Sequence, residues 1–128
     1  MHRVAGFKLG TTSAGIKTPG RSDLVVMELQ PGSAVAGVFT QNAFCAAPVV
    51  VAKQHLSSAA PRYLVTNTGN ANAGTGEQGM TDALQSCDAL AAATSSKKDC
   101  SALAIKLERG ARKEPTVILV SIVQSSAK

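Results

Sequence analysis

Aromatic residues are nearly missing from this chain: Phe7, Phe39, Phe44 and Tyr63 are the only ones among 128 residues, and there is no tryptophan. Its core must therefore be built from valine, leucine and alanine, and it is poorly equipped to stack nucleobases. Long apolar runs are missing too; none approaches the roughly 20 residues of a membrane span. Met1 to Gly6 has no apolar stretch of the kind that makes a secretory signal. Cysteines are few and odd in number (Cys45, Cys87, Cys100), with no CxxC spacing. That pattern fits free thiols in a reducing cytoplasm. Only His2 and His55 could join them around a metal, so neither a metal nor another cofactor is expected. What is present is globular in kind, 45% hydrophobic and 16% charged, and the length is that of about one domain.

The net charge of +5 suggests a nucleic-acid footprint until the chain is divided. Residues 1–96 carry six basic and five acidic side chains, whereas residues 97–128 carry seven and three. The basicity belongs to the tail. A solvated end explains it more simply than an RNA or anionic-surface site, so no nucleic-acid or membrane partner is expected.

The body reads as short strands separated by turns. Gly6–Gly10, Asp23–Leu29, Val35–Thr40, Pro48–Ala52 and Arg62–Asn67 are the strand candidates, with Pro19-Gly20 and Pro31-Gly32 as turns. Gly37 marks a bulge or a close backbone approach, and Pro48 is tolerated as the first residue of its strand. Residues 53–61 suggest a short helix or loop ending before Pro61. The clearest helix follows the glycine-rich stretch. Met80, Ala83, Leu84, Cys87, Leu90 and Ala91 fall on one face at helical spacing. Thr75 and Gln78 have capping-box spacing, and Glu77 and Asp82 favour the positive end of the helix dipole.

Between the last strand and that helix lies "NTGNANAGTGEQGM", residues 67–80, with four glycines and three asparagines. Gly69, Gly74 and Gly76 permit positive φ or close approach to the main chain, and Asn67, Asn70 and Asn72 tolerate left-handed backbone and offer amides. The spacing matches neither a Walker A loop nor GxGxxG. A strand, a Gly/Asn loop and a helix start is the order in which unpaired N–H groups converge on an anion. Two readings follow from the residues: an elaborate turn capping a helix, or an oxyanion or carboxylate pocket made by backbone N–H groups and the Thr75 hydroxyl.

The stretches "AGIKTPGRSDLVVMEL", "GSAVAGVFTQNAFCAAPVVVAKQHL" and "TNTGNANAGTGEQGMTDA" resemble the N-terminal, α-chain part of the ornithine acetyltransferase family, the glutamate N-acetyltransferases of arginine biosynthesis. The likeness covers about residues 5–93. It implies a layered α/β sandwich and a self-cleaving, bifunctional, cytoplasmic acyltransferase. Such enzymes move acetyl from N2-acetylornithine to glutamate through an acetyl-threonine intermediate, with acetyl-CoA as a further donor. The implied partner is the β chain of the same enzyme, in a heterotetramer. The implied catalytic residues are Thr75 and Gly76, as the oxyanion hole.

The family's nucleophile is a threonine in an Ala-Thr-Met-Leu motif, and these 128 residues contain no such motif. Ala93-Thr94 is followed by two serines instead. Residues 94–128 match nothing in the family, so the expected division is an α-chain-like portion at 1–93 and a divergent basic tail at 94–128, frameshifted or truncated. The resulting expectation is an inactive chain that carries the oxyanion pair without the nucleophile. His55 reads as a surface residue and Cys45 as a small core residue. The alternatives are a stand-alone anion- or nucleotide-binding module using loop 67–79, or a basic-tail interaction protein.

Overall fold

The computed structural model describes residues 4–16, 18–69, 72–94, 102–106 and 119–123. Of the sequence features above, His2, Asn70, Cys100 and most of the basic tail lie outside the described residues. The elements run β1 (Phe7–Thr12), β2 (Leu24–Leu29), β3 (Ala34–Val38), α1 (Ala47–Ser58), β4 (Tyr63–Asn67), α2 (Gly76–Ala93), β5 (Ala102–Lys106) and β6 (Leu119–Val123). One sheet has the order β1-β2-β4-β5, and β3 pairs with β6 in a second. β2 lies between β1 and β4 and is antiparallel to both, and β4 pairs with β5 in parallel. A parallel pair needs a crossover, and α2 supplies it.

Both Pro-Gly turns form. Arg21 N–H donates to Thr18 O at 3.3 Å and Ser33 N–H to Gln30 O at 3.1 Å, the i to i+3 bonds of tight turns. Gly37 is a close approach: a Cβ there would lie 2.9 Å from the Phe39 ring and 3.2 Å from Leu56 Cδ2. In the β2–β4 register, Val26 faces Val65 and Met27 faces Leu64, so alternate residues enter different clusters. Ala47, Val51, Val65, Ala83 and Cys87 form one cluster, with Leu24, Val26, Met80 and Leu90 packed against it. Leu29, Ala52 and Leu64 form the other, joined by Phe7, Met27, Val35 and Phe39. α1 reaches both.

Two expectations need correction. Pro48–Ala52 is not a strand but the first half of α1, and the helix runs on through residues 53–58. Three consecutive valines favour extended backbone locally, yet Ala47 and Val51, one helical turn apart, pack into one cluster with Val65, Ala83 and Cys87, a tertiary contact that overrides the local preference. Pro48 suits the first helical turn, where an N–H has no intrahelical partner anyway. The capping box at α2 does not form either: Thr75 makes no side-chain cap bond, and the Gln78 amide donates to Asp82 Oδ1 at 2.7 Å. The apolar face of α2 is narrower than its periodicity suggests. Gly79, Ala83 and Cys87 are buried, while Leu84 lies at the edge and is exposed.

Candidate functional site at the start of α2

The loop that follows β4 is fastened at its first residues. Asn67 Oδ1 accepts the Gly69 N–H at 2.7 Å, a side-chain turn that bends the chain off the strand. Thr68 N–H donates to Asp23 O at 2.8 Å. The Asp23 carboxylate, itself buried, accepts the Ala14 N–H at 2.7 Å and the Ile16 N–H at 2.9 Å. These bonds, the one from Ala14 first, hold its carboxyl below the ordinary value of 3.8, against the opposing effect of burial. Ile16 thereby sits against Gly69, where an added Cβ would come within 2.7 Å of Ile16 Cβ. Asp23 thus ties the β1–β2 connection to the start of β2 through its carboxylate, and the residue after β4 to both through its main-chain carbonyl.

At the far end of the loop, Thr75 stands between two glycines of positive φ, Gly74 at 73° and Gly76 at 57°. No residue with a Cβ takes that backbone readily, so the glycines fix how the chain enters the helix. Thr75 itself has φ −88° and ψ 0°, outside the extended region of a capping residue. Its hydroxyl donates back to Asn72 O at 2.9 Å. The first-turn amides of Gly76, Glu77 and Gln78 have no intrahelical acceptor and receive no cap from Thr75. Gly79 completes the arrangement. A Cβ there would collide with the Thr75 hydroxyl and lie 2.7 Å from Thr75 Cβ, so the threonine packs on a bare turn of helix.

The opposite wall comes from the segment before α1. Asn42 N–H donates to Thr40 Oγ1 at 3.2 Å, and Asn42 Oδ1 accepts the Phe44 N–H at 2.9 Å. This pair of local turns presents Phe44 against Gly74, whose added Cβ would meet the ring at 3.3 Å. Between the two walls lies a cavity of about 210 Å³. Phe44, Cys45, Val50 and Met80 contribute apolar surface; Asn72, Thr75 and Gly76 line the polar end. A helix start that lines a small cavity of mixed polar and apolar surface can hold an anion or a developing negative charge.

Both residues expected for the oxyanion site, Thr75 and Gly76, line this cavity. Cys45 also lines it, half-buried rather than in the core, and His55 does not, lying in the last turn of α1. Sequence reasoning missed Phe44, Gly79 and Asp23. Their signals were present: a phenylalanine two residues after an asparagine, a glycine one helical turn after Thr75, and an aspartate opening an apolar strand.

The fold is that of the layered α/β ornithine acetyltransferases. Ornithine acetyltransferase from Mycobacterium tuberculosis, solved in complex with ornithine, superimposes with a TM-score of 0.74 at 34% identity, over 87% of this chain and 60% of that one. The arginine biosynthesis bifunctional protein ArgJ of Bacillus halodurans gives a TM-score of 0.67 at 25% identity, over 88% and 58%. The sequence profile of the ArgJ family matches residues 8–105, and the chain belongs to that family. The arginine biosynthesis bifunctional protein ArgJ of Pseudomonas syringae is 63% identical over 94 residues, and that of Methylococcus capsulatus 56% over 96. Those stretches are 73% and 75% of this chain but 23% of each relative, so the chain spans about a quarter of the proteins it matches.

Proposed function

We propose that this chain supplies the oxyanion-stabilising part of an acetyl-transfer site in arginine biosynthesis. The donor is N2-acetylornithine, with acetyl-CoA as a second donor, and the acceptor is glutamate. The observation that carries this reading is Thr75-Gly76, flanked by positive-φ glycine, opening α2 onto the 210 Å³ cavity. When a nucleophile attacks the acetyl carbonyl, negative charge grows on its oxygen. The Gly76 N–H is a fixed donor for that charge, needing no reorganisation as the reaction proceeds. The Thr75 hydroxyl has one hydrogen to donate, now directed at Asn72 O, and rotation about the Cβ–Oγ bond redirects that hydrogen bond to the oxyanion. Ornithine in the Mycobacterium tuberculosis neighbour is consistent with this donor class.

The attacking threonine is not among these residues in its family motif. In this reading residues 1–93 act as the α-chain-like portion, with residues 94–128 a divergent basic tail. The nucleophile belongs to a β chain, within a cytoplasmic heterotetramer. Thr94 is a poor substitute. It ends α2, with its N–H and its hydroxyl both donating to Leu90 O, at 3.0 and 2.9 Å.

The test is a chimaera in which residues 8–93 replace the matching stretch of the full-length Pseudomonas syringae relative. Acetyl transfer from N2-acetylornithine to glutamate is expected in the chimaera. It is not expected from the 128-residue chain alone, which should remain uncleaved by mass. A folded chimaera without transfer, or cleavage at Ala93-Thr94 in the chain alone, overturns the assignment.

A further inference from the structure

We infer that Gly79 is a positioning residue for acetyl transfer: the space left by its missing side chain is the seat that fixes the Thr75 side chain. This rests on the oxyanion reading above and adds to it a residue that touches neither substrate nor oxyanion. Gly79 acts only through Thr75.

The seat follows from the backbone. Side chains one helical turn apart ordinarily keep their Cβ atoms about 5–6 Å apart. A Cβ on Gly79 would lie only 2.7 Å from Thr75 Cβ and would collide with the Thr75 hydroxyl. The cause is Gly76, whose φ of 57° folds Thr75 back over the first turn instead of leaving it beside the helix. A helical Cβ tilts toward the N-terminus, so one at position 79 points straight at the folded-back threonine.

Nothing else nearby can yield. The Gly79 N–H donates to Thr75 O at 3.3 Å, which ties the two main chains together. Ala47 Cβ, in the buried cluster, is 3.8 Å from the same point and already at contact distance. The group free to move is the exposed Thr75 side chain, and moving it breaks the hydroxyl bond to Asn72 O.

Glycine is a poor helix former, yet here it is buried in the first turns of an 18-residue helix. What it provides is a fixed χ1 at Thr75. Only the hydroxyl hydrogen then has to turn when charge develops, so the donor is in place before the reaction begins.

The first measurement needs no substitution. In the wild-type 128-residue chain, three-bond NMR couplings should report a single χ1 rotamer at Thr75, with cross-relaxation between its Hβ and the Gly79 Hα protons. Gly79→Ala should shift that rotamer, with amide dispersion reporting that the variant is folded. In the chimaera, Gly79→Ala should lower kcat by about tenfold or more and change KM by less than about threefold. In a Thr75→Val background the same substitution should cost less than about twofold in kcat, because the donor it displaces is already gone. A role in helix stability alone would multiply the two losses. Averaged couplings in wild type, a smaller loss of kcat in Gly79→Ala, or losses that multiply would overturn the proposal and leave the oxyanion reading intact. A folded parent chimaera without transfer, or Thr75→Val with unchanged kcat, would overturn the oxyanion reading and this proposal with it.

Discussion

The two helices among the described residues begin in opposite ways. Ala46, before α1, has the extended backbone of a capping residue, φ −68° and ψ 145°, but no side chain with which to cap. Thr75, before α2, has a capping side chain but the wrong backbone, and its hydroxyl turns away to Asn72. The first start is held by burial, since Ala47, Pro48 and Val49 are all enclosed. At the second, Thr75, Gly76 and Glu77 are exposed and the amides stay open. A helix that needs only to be stable can do without a cap when it is packed. The role proposed for α2 requires the opposite, a helix start whose amides are left unfilled.

The largest effect that would sharpen this contrast is at Thr75. In the chimaera, Thr75→Val is expected to lower kcat by about 10²–10³, roughly 3–4 kcal/mol, with a much smaller change in KM. Since Thr75 caps nothing, thermal melting of the same variant should move little. An unchanged kcat would return the loop to the role of a turn.

Gly79→Ala tests whether Thr75 is held in place. Helix propensity alone favours alanine by about 1 kcal/mol. The clash with Thr75 opposes it, and overpacking of this kind costs about 1–3 kcal/mol. Net destabilisation of about 1 kcal/mol in urea unfolding is therefore expected, as the difference of the two. A more stable variant would mean that Thr75 moves aside freely.

A smaller gain is expected at α1. Ala46→Ser places a hydroxyl on backbone already suited to capping and should add about 1 kcal/mol to stability. No gain would indicate that neighbouring packing keeps the hydroxyl from the first-turn amides.

Asp23 gives the subtlest test, through pH. Its folded carboxyl is held below 3.8 by the Ala14 and Ile16 amides, so it favours the folded state above the unfolded value. That contribution is lost as pH falls through the lowered folded value. Asp23→Asn should melt below wild type by a constant margin above about pH 5, and the margin should narrow below 3.8 as the wild-type carboxyl takes up its proton. A margin independent of pH would assign the loop's anchoring to shape and not to charge.

Most strands were legible because their signals are local. Short apolar runs bounded by Pro-Gly turns placed β1, β2 and β3 to within a few residues, and the run "RYLVTN" placed β4. The segment "PVVVAKQHL" was not, because three valines in sequence favour a strand. The decision depended on Ala47 and Val51 meeting Val65 and Ala83, residues distant in the chain. Thr75 and Gly76 were singled out by the family resemblance; the residues alone left a capping turn and an oxyanion pocket as alternatives, and the structure does not form the side-chain cap.

The sequence by itself determined the family, the glycines that permit the turn into α2, and the threonine placed between them. These depend on residue identity, because only glycine takes the required φ without strain. Tertiary structure decided which way Thr75 faces, that Phe44 stands opposite it, and that Asp23 fastens the loop between them and the strand. Each of those depends on contacts across the fold, Phe44 with Gly74, Thr75 with Gly79, and Asp23 with Ala14, Ile16 and Thr68. Such contacts exist only once the sheet and both helices have packed.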